Sequence, residues 1–418
     1  MATSLNSPIK APAGAEQASA GRAAGKRTRL GLPLDPLLTL SVIGLGIASV
    51  MTLGTATREL VPGQPNYYVD RQALYLIVGG LLMLVLARVD YARLRPLKNG
   101  IYALLMLSIL SVLVAGHSTN GAQRAISLPF FSFQGSELGK VLLIVALSAF
   151  VVDRARRLRE RDTTVRVMLA ALVPAMFVIA QPDLGSGMVY MVIAFVLLLV
   201  AGTPWRQLAA LVALVVVSAT FVLSVGPAVG VHVLKPYQAE RLTAFLHPSS
   251  NFAEIKEKES KTGEPDPRYQ LAQSKIAIGS GQKTGRGSDA TQIRLNFVPE
   301  DDTDFVFAAV GEQYGFVGAG LVLCLYALLM WRVLRILTMS KDLFGSLIAA
   351  GVAAMLMFQV FVNVGMTIGI MPITGVTLPL MSYGGSSVIA TLLGVGLLQS
   401  IYVRARASAA LKGRVPLY

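Results

Sequence analysis

Four carboxylates fall within five positions of the sequence, directly before an apolar run. They are Glu300, Asp301, Asp302 and Asp304, and the run begins at Phe305. The cluster therefore lies where a membrane helix would meet water. Like charges this close raise one another's pKa values, and an ionisable group at a helix mouth is a candidate functional group. A solvated loop could also carry these charges at little cost, so the cluster alone does not identify a reaction.

The composition predicts the class of protein. Of 418 residues, 54% are hydrophobic and 14% are charged, which is more apolar than a soluble domain of this length needs. We therefore expect an all-α integral membrane protein. The net charge of +14 comes from Lys and Arg residues spread in small groups between the apolar runs, so no nucleic-acid partner is expected. The single cysteine, Cys324, excludes an intramolecular disulfide and a cysteine metal site.

Apolar runs of about 20 residues are long enough to cross a bilayer core of about 30 Å. The sequence predicts about ten such helices, at residues 36–56, 72–90, 98–117, 136–153, 165–181, 184–202, 206–226, 305–332, 344–370 and 386–404. Pro182 lies between the fifth and sixth of them, and proline favours two spans with a tight turn over one overlong span.

Lys and Arg residues concentrate in alternate short connections, which the positive-inside rule places in the cytoplasm. Both termini are therefore predicted to be cytoplasmic, and the large loop between helices 7 and 8, residues 226–304, to be extracellular. The predicted domains are a disordered basic tail at 1–33, a membrane domain at 34–405 and a cytoplasmic tail at 406–418. The basic tail could bind anionic membrane lipids or a cytoplasmic scaffold.

Several polar residues share the predicted outer side. Arg124, Glu137 and Lys140 lie at the outer ends of the third and fourth helices. Glu137 and Lys140 are three residues apart on a helix and can pair, either as a structural ion pair or as part of a ligand site. Asp183 stands at a helix start, where an N-cap is more common than a catalytic group.

The long loop divides into two parts. Residues 236–267 are dense in charge, which predicts a solvated and flexible segment rather than a site. In residues 268–287, Tyr269, Ala272 and Ile276 recur at helical spacing, which predicts a short helix on or in the membrane surface.

Glycine and basic residues follow this short helix. Gly279, Gly281, Gly285 and Gly287 free the backbone for a close approach, and three cations accompany them: Lys275, Lys283 and Arg286. A glycine-rich basic loop suits a phosphate group, although the pattern alone is weakly specific.

Residues 363–387 contain prolines and glycines that cannot form a lipid-facing helix. Irregular backbone at membrane depth is tolerated only where it is buried or lines a cavity. The segment carries no Lys, Arg, Asp or Glu. It is therefore predicted to form a wall, with Ser382, Tyr383, Gly384 and Gly385 in a packing role, rather than to do acid–base chemistry.

These motifs together resemble the SEDS family (shape, elongation, division and sporulation proteins), which are multi-spanning peptidoglycan glycosyltransferases of bacterial cell membranes. The resemblance covers about 36–404. It is carried by residues 121–124, 136–140, 181–185, 269–281, 298–305, 363–367 and 371–387. The run NVGMTIGIMPITG resembles the rod-shape branch (RodA), while Val376 to Pro379 also resembles the division branch (FtsW), which stays an alternative.

The resemblance implies a substrate and a catalytic residue. The substrate would be lipid II, a disaccharide-pentapeptide on undecaprenyl diphosphate, polymerised outside the inner membrane during cell-wall elongation and cell-shape maintenance. The family's catalytic aspartate maps onto Asp304, which could act as general base, with Glu300 as support. A class B penicillin-binding protein, a transpeptidase, is the implied partner.

The departing diphosphate needs positive charge. The external candidates are Arg124, Lys140, Lys275 and Arg286, or a divalent cation such as Mg or Mn. Ala125 and Gly135 stand where the family commonly has Trp and Pro, and Asp302 stands where it commonly has His. The last change predicts a raised pKa for Asp304 or a metal bound by Asp302 and Asp304.

A lipid II transporter or flippase is the second hypothesis, since ten spans and a lined cavity fit either function. A transporter would place its key ionisable residues near the middle of the membrane. Here Asp304 and the basic candidates are predicted at the outer edge. This difference favours the glycosyltransferase.

Overall fold

Twelve α-helices and one small sheet make up the part of the chain that the computed structural model describes, which is residues 34–58, 63–115, 117–119, 122–127, 132–222, 241, 244, 267–294, 297 and 302–411. The helices are α1 Pro36–Ala56, α2 Tyr67–Arg88, α3 Lys98–Ala115, α4 Gly135–Asp153, α5 Arg161–Ala180, α6 Leu184–Val200, α7 Trp205–Thr220, α8 Pro267–Ser280, α9 Thr291–Arg294, α10 Val306–Met339, α11 Leu343–Ile368 and α12 Gly385–Leu411. A 3₁₀ helix, Tyr91–Leu97, leads into α3.

Local sequence explains where several helices begin and end. The Asp35 carboxylate accepts a hydrogen bond from the Leu38 N–H at 3.0 Å, and Pro36 occupies the first helical position of α1. The Asp183 carboxylate accepts from the Ser186 N–H at 3.0 Å and caps α6, which confirms the N-cap prediction. α11 ends at Gly369, whose φ of 81° is left-handed and favours glycine.

Among the described residues, eight helices are long and apolar enough to cross a membrane: α1, α2, α3 with its 3₁₀ extension, α4, α5, α10, α11 and α12. The shorter apolar helices α6 and α7 coincide with the predicted sixth and seventh spans. The all-α membrane fold is therefore confirmed. The count of ten spans, the extracellular position of the loop and the domain limits stay predictions.

The interior of the bundle is formed mainly by α4, α11 and α12. Small residues allow close helix crossings there: a Cβ on Gly351 would lie 2.7 Å from the Ile144 side chain, so α11 and α4 approach each other closely. Large apolar side chains such as Leu107 and Val317 point outward, as a lipid-facing surface requires.

A three-stranded antiparallel sheet, absent from the sequence prediction, lies between α3 and α4. Its strands are β1 His117–Thr119, β2 Ala122–Ser127 and β3 Ser132–Phe133, in that order. The Ser386 hydroxyl donates to the Ser132 carbonyl at 2.8 Å and accepts from the Gln134 N–H at 2.9 Å. These bonds fix the sheet to the start of α12.

Candidate active site

Asp304 lies directly before α10 and is 7% exposed. The next residue, Phe305, is fully buried in a small apolar cluster with Leu271, Ala277 and Ile373. The aromatic side chain thus anchors the start of α10 against α8 and the segment after α11. The burial of Phe305 holds the Asp304 backbone in place without using its carboxylate.

The side chain of Asn363 on α11 fixes this backbone further. Its amide nitrogen donates to the carbonyls of Asp304 and Val376, both at 2.8 Å. Asn363 is fully buried, and a buried amide that bridges two backbone oxygens specifies their separation. Asn363 therefore joins the Asp304 segment to the irregular segment 371–384.

Two further bonds connect these segments. The Ser382 hydroxyl donates to the Thr303 carbonyl at 2.5 Å, and the Tyr383 N–H donates to the Asp302 carbonyl at 2.7 Å. On the other side, a Cβ on Gly185 would lie 2.7 Å from the Thr374 carbonyl, so glycine lets α6 approach. Segment 371–384 therefore packs directly around the Asp304 backbone, as the wall interpretation expects.

Gly375 lies directly against the Asp304 carboxylate. Its φ is 71°, and an ideal Cβ there would lie 3.2 Å from Asp304 Oδ2 and 3.5 Å from Arg241 Nη1. A carboxylate and a guanidinium therefore border the same point, and any side chain at position 375 would fill it.

Arg241 corrects the sequence interpretation. Residues 236–267 were expected to be solvated and apart from any site, which is wrong for Arg241, beside Gly375, and for Ala244, which is 4% exposed. The prediction failed because it used the charge density of the whole stretch and not the local pattern around Arg241. Arg241 is followed by apolar residues at 242, 244, 245 and 246, a signal of packing rather than solvation.

Glu137 and Lys140 form the predicted ion pair, with Nζ and Oε1 2.6 Å apart and both side chains almost fully buried. Nearby, the Ser136 hydroxyl donates to Asp183 Oδ2 at 3.0 Å, and the Tyr190 hydroxyl donates to the Ser136 carbonyl at 3.0 Å. The start of α4 is thereby joined to α6. The pair is confirmed, and a ligand-binding role for Lys140 stays a prediction.

Lys275 lies against the end of α11. An added Cβ on Gly369 would overlap the end of the Lys275 side chain, so the ammonium group is close to the last turn of that helix. The Ser274 hydroxyl donates to the Thr367 carbonyl at 2.9 Å in the same place. A cation at a helix C-terminus is favoured by the helix dipole. This contact gives Lys275 a structural role at the end of α11. Substrate binding by Lys275 stays a prediction.

The short helix predicted near residue 270 is confirmed as α8, Pro267–Ser280. Gln270, Leu271 and Ser274 are buried, whereas Ile276 is exposed. The polar residues turn inward because α11 and its neighbours offer them partners, and hydrophobic spacing alone did not reveal this.

The glycine-rich basic loop packs into a kink of α10. At Gly315 the helix has φ 63° and ψ −162°, and its neighbours bond to the loop instead: the Phe316 N–H donates to the Gln282 carbonyl at 2.9 Å and the Val317 N–H to the Lys283 carbonyl at 3.0 Å. Close backbone packing between the loop and α10 therefore explains why glycine is required at Gly315. Phosphate binding by this loop stays a prediction.

Arg286 belongs to the same loop. Its guanidinium donates to the Ser280 carbonyl at 3.2 Å and to the Thr291 hydroxyl at 3.4 Å, and the group is exposed. These bonds orient the side chain locally. Whether it contacts substrate stays a prediction.

Glu312 is a positioning residue that the sequence reasoning missed. It is fully buried on α10, and its two oxygens accept the N–H groups of Gln292 and Ile293, each at 3.0 Å. The carboxylate therefore fixes the short helix α9 to α10. The sequence did offer one signal for Glu312: it is an ionisable residue inside an apolar run, and such residues in membrane segments commonly have a specific role.

Some predicted site residues lie outside the described part of the chain: Glu300, Asp301 and the side chain of Arg124. Within the described part, no three His, Cys, Asp or Glu side chains converge on one point. Asp302 and Asp304 alone would leave most of the ligand positions of a divalent cation unfilled. The described residues thus do not make a complete metal site, and we assign no step to a cation.

The helical bundle and its buried carboxylate define an integral membrane protein with a candidate active site at one end of the bundle. The chain belongs to the SEDS family: the family FTSW_RODA_SPOVE, described as cell cycle protein, matches residues 34–407. This match confirms the resemblance found in the motifs.

Two curated relatives illustrate the family. The probable peptidoglycan glycosyltransferase FtsW of Thioalkalivibrio sulfidiphilus is 35% identical over 399 residues, which cover 92% of this chain and 93% of the relative. The peptidoglycan glycosyltransferase MrdB of Escherichia coli is 32% identical over 373 residues, which cover 88% and 93%.

Two solved structures resemble the fold. One, described as structural coordination of polymerization and crosslinking by a peptidoglycan synthase complex, has a TM-score of 0.71 and 32% identity over 89% of this chain and 98% of the other. The other is the rod shape determining protein RodA of Thermus thermophilus, with a TM-score of 0.62 and 30% identity over 90% and 98%.

Proposed function

We propose that this protein is a peptidoglycan glycosyltransferase that polymerises lipid II into glycan strands, with Asp304 as general base. The observation that carries the proposal is the buried Asp304 carboxylate at Gly375, where a Cβ would lie 3.2 Å from Asp304 Oδ2 and 3.5 Å from the Arg241 guanidinium. The names of the curated relatives support the reaction class.

The proposed reaction is a single displacement. The Asp304 carboxylate removes the proton from the acceptor hydroxyl, and the hydroxyl oxygen attacks the anomeric carbon of the donor sugar. The bond from that carbon to the diphosphate oxygen breaks, and undecaprenyl diphosphate leaves with the electron pair. An α-linked donor thus gives a β-linked product without a covalent sugar intermediate. The proton then passes from Asp304 to solvent.

Arg241 is suited to stabilise the departing diphosphate, whose negative charge grows as the bond breaks. A guanidinium is always charged and binds phosphate oxygens in a fork geometry. Its Nη1 lies 3.5 Å from the Gly375 Cβ position that is 3.2 Å from Asp304 Oδ2, whereas Lys140 is paired with Glu137 and Lys275 lies over the end of α11. We therefore add Arg241 to Arg124, Lys140, Lys275 and Arg286 as a substrate-binding residue.

Within the family we propose the rod-shape branch, on the run Asn363 to Gly375. Overall identity does not separate the branches, because a relative named FtsW and one named MrdB are similarly close. Depletion of the protein in its own host tests this assignment: rounding of rod-shaped cells supports the rod-shape branch, and filaments without septa support the division branch.

A class B penicillin-binding protein is the proposed partner. The similar solved structure of a peptidoglycan synthase complex, described as coordinating polymerization and crosslinking, supports this pairing. Glycan strands made next to a transpeptidase would be crosslinked as they emerge.

The experiment that tests the function uses labelled lipid II and the purified full chain in liposomes, alone and with the penicillin-binding protein. Polymer on gels supports the glycosyltransferase. If the protein instead moved lipid II from one leaflet to the other and made no polymer with or without the partner, the transporter hypothesis would replace it.

We expect Arg241→Ala to reduce polymerisation roughly 10- to 100-fold, because the leaving diphosphate loses a preorganised cation. Arg241→Lys should recover part of the loss, since it keeps the charge but not the fork geometry. Initial rates over a range of lipid II concentrations measure both variants. Equal rates for Arg241→Ala and the parent would remove Arg241 from the site.

Gly375→Ala is expected to reduce polymerisation roughly tenfold, because its methyl carbon would lie 3.2 Å from Asp304 Oδ2 and a left-handed φ costs about 1–2 kcal/mol for a residue with a Cβ. Gly384→Ala is the matched control, since its Cβ would meet only Ser387 Cβ, at 3.8 Å. Loss of activity in the control but not in Gly375→Ala would contradict the assignment.

A further inference from the structure

Three tyrosine rings form a continuous cluster next to the segment that carries Asp304. Tyr67 and Tyr68 begin α2, and Tyr383 lies just before α12. The ring centroids of Tyr67 and Tyr68 are 5.3 Å apart, and those of Tyr68 and Tyr383 are 4.8 Å apart, both in edge-to-face geometry. All three side chains are partly exposed. We call these three residues the tyrosine platform.

Polar groups hold the platform in place. The guanidinium carbon of Arg71 lies 4.2 Å from the centroid of the Tyr67 ring. The ring centroid of the buried Tyr75 lies 6.1 Å from that of Tyr383. The platform therefore combines rigid aromatic faces with a guanidinium and hydroxyls.

The platform is also joined to the active-site segment. The Tyr383 N–H donates to the Asp302 carbonyl at 2.7 Å, and the Gln72 amide donates to the carbonyl of Ser382 at 3.2 Å. Asp302 is two residues from Asp304, a stretch of chain that spans at most about 7 Å. The platform therefore lies within the reach of a short oligosaccharide whose end is at Asp304.

Tyrosine is common at membrane interfaces, where single rings anchor a helix among lipid headgroups. An anchor needs neither ring-to-ring packing nor a bond to a catalytic segment, and the platform has both. Aromatic faces beside hydrogen-bonding groups suit a carbohydrate instead, because a sugar offers C–H groups to the ring face and hydroxyls to the polar groups.

We propose that the tyrosine platform is a binding site for the carbohydrate of the glycan strand, next to Asp304. The inference rests on the proposed glycosyltransferase function and adds a subsite to it. The ligand class is a β-linked oligosaccharide of N-acetylated amino sugars. Such a site would hold the strand between successive additions and so favour long products.

The probe is tetra-N-acetylchitotetraose, a soluble β-1,4-linked amino-sugar tetrasaccharide without lipid, peptide or phosphate. Its binding to the full chain in lipid nanodiscs is measured by saturation-transfer NMR. We expect Tyr67→Leu and Tyr68→Leu each to raise the dissociation constant roughly three- to tenfold, because leucine keeps the apolar volume but removes the aromatic face. Tyr67→Phe should bind nearly as the parent does.

Trp331→Leu is the matched control. Trp331 is an exposed aromatic residue that also pairs with a cation, since the guanidinium carbon of Arg332 lies 5.3 Å from its ring, but it lies near the opposite end of α10 from Asp304. It should leave tetrasaccharide binding unchanged. Arg71→Gln supplies a second test of the platform that alters no tyrosine, and it should weaken binding by removing the polar contact.

Product length gives a second readout. The leucine variants are expected to make shorter strands, because the strand dissociates sooner while the Asp304 side chain is unchanged. Unchanged tetrasaccharide binding and unchanged strand length in both leucine variants would overturn the proposal. Unchanged binding with reduced thermal stability in nanodiscs would likewise overturn it and would indicate a lipid anchor.

The two proposals can fail separately. Asp304→Asn should still bind the tetrasaccharide, because it leaves the platform intact. If the parent binds the probe through the platform but makes no polymer, the glycosyltransferase proposal fails and a glycan-binding site remains. If the parent makes polymer and the leucine variants match it in binding and strand length, only the platform proposal fails.

Discussion

Asp304→Asn is expected to reduce lipid II polymerisation by roughly 10²- to 10⁴-fold, the range that a positioned general base supplies. Asparagine keeps the size of the side chain and removes the ability to take a proton. The bonds that hold the segment use the backbone carbonyls of Asp304 and Thr303 and the side chain of Phe305. The substitution should therefore remove the base while these bonds still hold the segment. Gel analysis of labelled polymer measures the rate.

Asp302→Asn is the matched control, because it makes the same charge change two residues earlier while its carbonyl keeps the bond from Tyr383. We expect a much smaller loss than for Asp304→Asn. Equal losses in the two variants would point to the summed charge of the cluster, or to a shared metal, rather than to one base. Asp302→His tests the metal version directly: the same response to a metal titration as the parent would exclude it.

Lys140→Met is expected to destabilise the protein by about 3–5 kcal/mol, the cost of leaving one partner of a buried ion pair uncompensated. Lys140 Nζ lies 2.6 Å from Glu137 Oε1, and both side chains are almost fully buried. The change in stability is measured by heating the protein in detergent and quantifying the folded fraction by size-exclusion chromatography with fluorescence detection. Stability equal to that of the parent would show that Glu137 does not depend on Lys140.

The double variant Glu137→Gln/Lys140→Met separates the two roles that the sequence left open for this pair. Removing both charges should recover most of the lost stability, since no unpaired charge stays buried. Recovered stability with recovered polymerisation would assign the pair to structure. Recovered stability with lost polymerisation would assign a substrate role to one of its members.

Much of the architecture could be predicted because it depends on local pattern. Apolar runs of about 20 residues placed most of the long helices to within a few residues, although α2 begins at Tyr67 rather than at 72, and α10 and α12 end at Met339 and Leu411 rather than at 332 and 404. The N-cap at Asp183, the pair Glu137–Lys140 and the helix α8 followed from spacings of three or four residues. The prolines and glycines of segment 371–384 indicated its wall-forming role, because an irregular backbone in a membrane must be covered.

Other features depend on contacts between residues far apart in the chain, and these only the tertiary structure decided. Arg241 lies beside the Asp304 carboxylate at Gly375, and Glu312 fixes α9, although no motif indicated either residue. In α8, Ser274 turns inward toward a carbonyl on α11, a contact that hydrophobic spacing could not show. Such partners lie at least 19 residues apart in the chain, beyond the range of a helix or strand periodicity.

The acidic cluster shows both what local sequence predicts and what only tertiary contacts decide. From the sequence alone, Asp304 could be selected among four neighbouring carboxylates because it precedes an apolar run and matches a family motif. The structure adds its surroundings: the Asn363 bridge, the contact with Gly375, the guanidinium of Arg241 and the adjoining tyrosine platform. Residue type and local spacing determine which groups can do chemistry. Their environment is determined by long-range packing, because burial and opposing charge are supplied by other helices.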